Sequence, residues 1–240
     1  MLANNPFNLK LLKAINEWQI DSSDSRGNKL KSLSANLPSN FVTCNEVCYR
    51  KIELGKSGVF SIIGKSRLKE KISSWSQSVE VVKKFKFGVS TKVGEQSLIL
   101  RYYPTAREVI LNLKEVYSSP LFHQAVACYE SQIKNINRGI KKYGDSQREI
   151  ILEVDEVSLS HIHMLGGHSS YIDIAHSGQV YKRFKEGCTI VLTEDNLKFR
   201  VFKWIDPFKT QKVLKRTLNK SGGSIPYNVY AKHYGINYGT

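Results

Sequence analysis

The sequence predicts an α+β domain, because helical and strand-like segments occur together in a chain long enough to form one core. Apolar residues recur at helical spacing over residues 6–20 and 120–143. Several other segments alternate apolar and polar residues, or are rich in β-branched residues, as strands are. Of the 240 residues 41% are hydrophobic, which is enough to build a core, and plentiful tyrosine and phenylalanine favour sheet.

The first predicted element is a helix over residues 6–20. Pro6 suits its first turn, where the missing N–H costs nothing. A polar stretch of Ser, Asp and Gly at residues 21–28 ends the helix. The apolar side chains that would form its buried stripe are Phe7, Leu11, Leu12, Ile15 and Trp18.

The next segments alternate between strand and helix signals. The stretch EVCYRKIEL at 46–54 alternates as a strand does, and the glycines and serines of 55–66 predict a hairpin or loop. The serine-rich KISSWSQS at 71–78 predicts a short extended piece. It is followed at 79–85 by VEVVKKF, a predicted helix for which Ser78 is the expected N-cap.

Two strands and a long helix are predicted in the centre of the chain. The strands are SLILRYY at 97–103 and REVILNL at 107–113. The helix covers 120–143 and stops at Gly144, a favourable C-terminal residue. Its apolar side would consist of Phe122, Val126, Tyr129, Ile133, Ile136 and Ile140.

The last third of the chain predicts further strands. Residues 147–165, QREIILEVDEVSLSHIHML, carry enough β-branched and alternating residues for two strands. CTIVLT at 188–193 and LKFRVFKWI at 197–205 predict two more, separated by the turn-like EDN. From residue 209 the tail is basic and then rich in Ser, Gly and Tyr.

Charge is the unusual property of the composition. Thirty-six Lys and Arg against 21 Asp and Glu give a formal net charge of +15. Such a field attracts polyanions, so we expect a nucleic-acid or acidic-protein partner, with a merely solvated basic surface as the alternative. The N-terminus does not resemble a secretion signal, and no apolar run could span a membrane. The four cysteines lack zinc spacing, so we expect no metal. A chain with a sizeable core needs no disulfides, so we expect a cytoplasmic protein that does not associate with a membrane.

Three polar groups of chemical interest follow one another along predicted strands. Arg50 lies in CYRKI, four serines lie in SSWSQS at 73–78, and Glu149 lies in QREIIL, two residues after Gln147. Arginine makes paired, charge-assisted hydrogen bonds to phosphate or ribose oxygens. A carboxylate can stabilise the oxocarbenium-like transition state of glycosidic cleavage. Each piece alone is common in proteins, and the order of the three gives the pattern its specificity.

Through these segments the chain resembles the arginine–serine–glutamate clade of ADP-ribosyltransferases, and looks most like the small bacteriophage-encoded members. The similarity runs through LPSNFVTCNEVCYRKIEL, ISSWSQSVEVVKKF, SLILRYYPTAREVILNL and SQREIIL. It implies an enzyme that transfers ADP-ribose from NAD to a protein or nucleic acid and releases nicotinamide. It also implies a split β core of two mostly antiparallel sheets. The expected organisation is a helical region at 1–36, a catalytic core at 37–165, and a β-rich extension or closing part at 166–240.

The resemblance assigns NAD binding to four kinds of side chain. Arg50 would contact NAD, with Tyr49 beside it. Ser76, in the triplet Ser76-Gln77-Ser78, would order the site, and Ser74 is the alternative serine. Phe85 would pack against nicotinamide.

The resemblance also assigns the chemistry. Glu149 would be the catalytic carboxylate, and Gln147 would orient the acceptor. In the family a glutamine at this position goes with acceptors other than arginine, including asparagine and guanine.

Three features depart from the family pattern. Lys51 stands where a glycine is usual, Gln77 replaces the middle serine or threonine of the triplet, and EVDEVS is a poor version of the turn after the glutamate strand. A second segment, KEGCTIVLTEDNLKFRVFKW, also resembles the closing hairpin of the family. Its carboxylate, Glu186, is one residue out of step and would replace Glu149 if that segment were the true one.

A rival interpretation rests on His161 and His163. Two histidines alternating on a strand, with Glu153, are similar to the metal site of rolling-circle replication initiators and relaxases. A tyrosine near the C-terminus would then attack DNA, with Lys232 nearby. The candidates are Tyr227, Tyr230 and Tyr234. A third alternative, a non-catalytic nucleic-acid-binding module, is supported by no recognisable motif.

Overall fold

The computed structural model describes residues 5–55, 67–92, 95–168, 172–173, 189–192 and 198–220. Its helices are α1 (Leu9–Ile20), α2 (Asp24–Ser34), α3 (Val79–Lys84), α4 (Leu113–Ser118), α5 (Pro120–Tyr129), α6 (Ile140–Tyr143) and α7 (Pro207–Lys220). Its strands are β1 (Cys48–Gly55), β2 (Arg67–Lys69), β3 (Ile72–Ser76), β4 (Glu95–Tyr102), β5 (Val109–Asn112), β6 (Glu149–Glu153), β7 (Glu156–Ser158), β8 (Ile162–His168), β9 (Ile172–Asp173), β10 (Thr189–Leu192) and β11 (Lys198–Trp204). The fold is therefore α+β, as predicted, with mostly antiparallel pairing and a small separate sheet formed by β2 and β7.

The chain divides into two compact units. The first contains Met1–Tyr49, Lys69–Val79 and Tyr102–Glu156, and the second contains Arg50–Leu68, Glu80–Arg101 and Val157–Thr240. None of the described helices is long and apolar enough to cross a membrane.

The first unit is a sheet covered by helices. Its strands run in the order β3, β6, β5, and the start of β1 pairs with β3 through Tyr49 and Ser76. Side chains of α1, α2, α4 and α5 pack with the inner residues of β5 and β6 into one apolar cluster. Burial of large side chains such as Phe7, Trp18 and Phe122 provides the main driving force for this unit.

The second unit is a sheet with one long helix. Its strands run β10, β11, β8, β4 and the remainder of β1, and β9 pairs with β11. Helix α7 is attached to β8 by two side-chain hydrogen bonds. The backbone N–H of Leu165 donates to Thr210 Oγ1 at 3.1 Å, and Gln211 Nε2 donates to the carbonyl of Ile162 at 2.8 Å.

Most predicted strands are confirmed, whereas the two long helices predicted at 6–20 and 120–143 have other bounds in the structure. Strands lie where predicted in β1, β3, β4, β5, β6, β10 and β11, and α3 lies within the predicted 79–85. The expectation that Pro6 lies in the first helical turn is wrong, because α1 begins at Leu9 with Asn8 as its cap. The polar stretch at 21–28 does end α1, but a second helix, α2, begins within it. Neither α2 nor α7 was predicted from the sequence.

The prediction of one helix over 120–143 is wrong. Helix α5 ends at Tyr129, two 3₁₀ turns follow, and Asn135 between them adopts a left-handed φ of 57°. Asn16 of α1 stabilises this break, because its Nδ2 donates to the Lys134 carbonyl at 2.9 Å and its Oδ1 accepts from Ile140 N at 3.1 Å. Gly139 is needed there, since a Cβ would lie 2.4 Å from Asn16 Oδ1. Tertiary hydrogen bonds thus override the local helical pattern.

Replacing Asn16 with alanine should therefore destabilise the first unit. Asn16 is 2% exposed, so its loss would leave the buried Ile140 N–H and the partly buried Lys134 carbonyl without this partner. We expect the free energy of unfolding in urea to fall by about 2 kcal/mol. Asn28→Ala, at an exposed site on α2, is the control and should change it by less than about 0.5 kcal/mol. Equal effects of the two substitutions would show that Asn16 does not stabilise the break.

Candidate functional site

A row of three predicted site residues crosses adjacent strands of the first unit. Tyr49 on β1 lies opposite Ser76 on β3, which lies opposite Glu149 on β6. Residues directly opposite each other in a sheet project from the same face, so these three side chains share one face. Trp75, next to Ser76, projects from the other face, where it is 2% exposed. The alternation seen in the sequence therefore places the polar residues of β3 and β6 together.

One oxygen of the Glu149 carboxylate accepts hydrogen bonds from two donors. The Ser74 hydroxyl donates to Glu149 Oε1 at 2.5 Å, and the Trp18 indole Nε1–H donates to the same oxygen at 3.1 Å. The residue is only 7% exposed. One carboxylate oxygen is therefore fixed in position from two sides, by a strand residue and by a helix residue far away in the sequence.

Burial raises the pKa of Glu149 above its ordinary value, because desolvation penalises the charged form. Hydrogen bonds from Ser74, Trp18 and Gln19 act in the opposite direction but do not cancel this effect. A glutamate held in this way is costly to ionise and well oriented. Buried carboxyl groups with a perturbed pKa are enriched at functional sites.

A second layer of polar groups lies behind Glu149. The Tyr117 hydroxyl is 2.7 Å from Gln19 Oε1 and 2.9 Å from the carbonyl oxygen of Ile140. Burial raises the pKa of Tyr117, so it remains a neutral hydrogen-bonding group at physiological pH. Gln19 thus lies between a tyrosine and the buried carboxylate. No sequence pattern indicated this layer, since its members lie on three separate segments.

The two serines of β3 have different contacts. Ser74, the alternative in the sequence assignment, is the serine that contacts the Glu149 carboxylate. Ser76 donates instead to the carbonyl of Gln147 at 2.6 Å and accepts from the backbone N–H of Ser78 at 3.1 Å. Ser76 therefore holds the backbone of the turn that precedes β6.

That turn is also held by the main chain. Gln77 N donates to the carbonyl of Arg148 at 3.1 Å, and Arg148 itself has a φ of 45°. Gln147, half-buried, lies in the turn immediately before the first residue of β6. The predicted spacing of Gln147 and Glu149 thus corresponds to one turn residue and one strand residue.

Two cysteines lie beside the same turn. Cys44 Sγ is 3.7 Å from Cys48 Sγ and accepts from Gln77 Nε2 at 3.4 Å. The contact with Cys48, assisted by hydrogen bonds from Gln77 and the backbone, lowers the pKa of the Cys44 thiol to about 6. The same contact and burial raise the pKa of Cys48. The sequence indicated neither zinc spacing nor a need for disulfides, and no pattern in it predicted that Cys44 and Cys48 lie close together.

Arg50 and Phe85 belong to the second unit. Arg50 is half-buried on β1, and Phe85, 47% exposed, begins the 3₁₀ turn Phe85–Phe87. Lys51 donates to the carbonyl of Phe85 at 3.0 Å and forms an ion pair with Glu53 at 2.8 Å. Lys51 therefore has a structural role at the position where the resembled family usually has glycine. The convergence of Arg50 and Phe85 with Glu149 stays a prediction.

The prediction that His161 and His163 alternate on one strand is wrong. His161 ends a 3₁₀ turn, where its Nδ1 accepts from Ser158 N at 2.8 Å, and β8 begins one residue later. Burial and the nearby Arg101 and Lys83 lower the pKa of His163 to about 4. Cationic surroundings of this kind disfavour a metal ion.

The other groups of that interpretation bring no further support. Glu153, in the first unit, forms an ion pair with Lys31 at 2.5 Å. Within the part of the chain that the structure describes, no three His, Cys, Asp or Glu residues are grouped to hold a metal. Glu186, the alternative catalytic glutamate, and the candidate nucleophiles Tyr227, Tyr230 and Tyr234 with Lys232 lie outside the described residues.

Comparison with known proteins adds no family assignment: no family model matches the chain, and no curated protein or solved structure is significantly similar to it.

Proposed function

We propose that the protein is a mono-ADP-ribosyltransferase that takes NAD as its substrate and uses Glu149 as the catalytic carboxylate. The observation that carries this proposal is the Glu149 carboxylate, buried and held by Ser74 and Trp18. It lies on the strand, and beside the serine strand, where the resemblance to the arginine–serine–glutamate clade puts the catalytic glutamate. A merely structural surface glutamate would need neither burial nor two donors on one oxygen.

In the proposed reaction, the bond between the nicotinamide nitrogen and ribose C1′ breaks, and its electron pair leaves with nicotinamide. Positive charge then develops on the ribose, as in glycoside cleavage. Ionised Glu149 stabilises that charge, and an oxygen already fixed by Ser74 and Trp18 requires little reorganisation. A low local dielectric strengthens the interaction, which is the benefit of burying the carboxylate.

The remaining residues have supporting roles in the proposal. Arg50 binds phosphate or ribose oxygens of NAD, Tyr49 lies beside it in the chain, and Phe85 packs against nicotinamide. Ser76 holds the turn through the Gln147 carbonyl, and Gln147 orients the acceptor. The glutamine favours an acceptor other than an arginine side chain, and the acceptor nucleophile forms the new bond to C1′ as it loses its proton.

The direct test is to incubate the purified chain with NAD labelled at the adenylate phosphate, in an extract containing proteins and nucleic acids. We expect free nicotinamide and label in the macromolecular fraction. Digestion of separate portions with protease or nuclease then identifies the acceptor class. If the folded chain releases no nicotinamide and labels nothing in the extract, with or without added nucleic acid, the proposal is wrong.

A further inference from the structure

Helix α7 is firmly attached along one side. Leu214 and Leu218 are each 3% exposed, and Thr210 and Gln211 are hydrogen-bonded to the backbone of β8. The helix contains five basic residues and no acidic residue between Pro207 and Lys220. The apolar side of α7 therefore determines its orientation on the sheet, and the basic residues project from the opposite, outward side.

The outward side of α7 presents a group of cations that we call the α7 basic face: Lys212, Lys215 and Arg216. All three are exposed, and together with Asn219 they line an open, shallow depression. Among the described residues none of the three is in an ion pair with a carboxylate. Three neighbouring positive charges on one helix repel one another, so the surface is electrostatically unfavourable without an anionic partner.

An exposed aromatic ring adjoins the α7 basic face. Phe208 is 67% exposed although it lies in the first turn of a well-packed helix. The Lys212 Nζ lies 4.3 Å from the centroid of its ring. Positions 208, 212, 215, 216 and 219 follow one another at helical spacing, so they form a stripe about 16 Å long.

From these observations we propose that the α7 basic face binds single-stranded nucleic acid, with its cations on the phosphates and Phe208 stacked against a base. Surfaces that bind single strands combine a basic track with aromatic side chains in this way. Charge complementarity selects a polyanion, and the exposed ring favours a strand whose bases are unpaired. The proposal is independent of the transferase activity and would hold for a protein without it.

The test is fluorescence anisotropy with a labelled 20-nucleotide oligothymidine over a range of salt concentrations. The wild-type chain should bind with an affinity that falls as salt rises. The variant K212A/K215A/R216A should bind at least about tenfold more weakly, and its log–log salt slope should be shallower by about 2. The matched control K134A/R138A/K142A removes three exposed cations from the first unit and should change the affinity by less than about twofold.

Phe208→Leu separates single-strand binding from simple charge attraction. It should weaken oligothymidine binding about fivefold and leave the affinity for a duplex of equal length unchanged. Thermal unfolding of each variant checks that α7 remains packed. The proposal is overturned if the wild-type chain shows no binding at low salt, or if the control variant loses as much affinity. It is also overturned if Phe208→Leu has no effect, or if polyglutamate competes as well as the oligonucleotide.

Discussion

Glu149→Gln should reduce the rate of nicotinamide release from NAD at least about 100-fold. Glutamine has the shape of glutamate and keeps an oxygen that can accept from Ser74 and Trp18, so the surrounding fold should persist. What it lacks is the negative charge that opposes the developing charge on the ribose. Glu153→Gln is the matched control on the same strand; its carboxylate contacts Lys31 instead, so activity should remain near the wild-type value.

The same substitution should increase stability at neutral and alkaline pH. Because burial raises the folded-state pKa of Glu149, the stability that this group contributes is fully present below its unfolded pKa near 4.5 and is lost as pH rises through the folded pKa. A neutral glutamine has no such loss. We expect a gain of about 1 kcal/mol in the free energy of unfolding at pH 8 and little difference at pH 4, measured by urea denaturation. A variant that is less stable than wild type at pH 8 but not at pH 4 would contradict the assignment of a buried carboxylate with a raised pKa.

The second large effect is expected for Ser74→Ala. Loss of the Ser74 hydroxyl removes the shorter of the two hydrogen bonds to Glu149 Oε1 and leaves the one from Trp18. Since this bond favours the charged form, its loss should raise the pKa of Glu149 further. We expect kcat to fall at least about tenfold near pH 7, and the pH at which activity appears to move upward.

Ser76→Ala provides the comparison on the same strand. Ser76 contacts the Gln147 carbonyl, not the carboxylate, so its loss should disturb transfer to the acceptor without moving the pH profile of nicotinamide release. Ser74 is thus assigned as a positioning residue for Glu149. If the two alanine variants shift the pH profile equally, or neither shifts it, that assignment is wrong.

The strands of the candidate site could be predicted because each carries its own local signal. Period-two alternation in β1, β3 and β6 indicates which residues share a face, and the resemblance indicates which of them to examine. The choice between Ser74 and Ser76 could not be made in this way, since both project from the same face of β3. It depends on the turn before β6, where Arg148 adopts a positive φ and brings the Gln147 carbonyl to Ser76.

Contacts between distant segments were beyond the reach of sequence patterns. The apolar stripe of α1 indicated that Trp18 is buried, but nothing local indicated that its indole N–H contacts Glu149. The break after α5 has the same origin, because Asn16 captures backbone groups of a segment whose apolar residues recur at helical spacing. Helix α7 was missed because residues from 209 onward were interpreted as a basic tail, although Leu214 and Leu218 already had a helical spacing.

The central claim is that NAD binds with its nicotinamide ribose at Glu149. A crystal structure of the Glu149→Gln variant with NAD tests it most directly, because the variant should bind the dinucleotide without cleaving it. We predict the nicotinamide ribose in hydrogen-bonding distance of residue 149 and the Arg50 guanidinium on phosphate or ribose oxygens. NAD bound with that ribose elsewhere, or no bound NAD at a saturating concentration, would contradict the account.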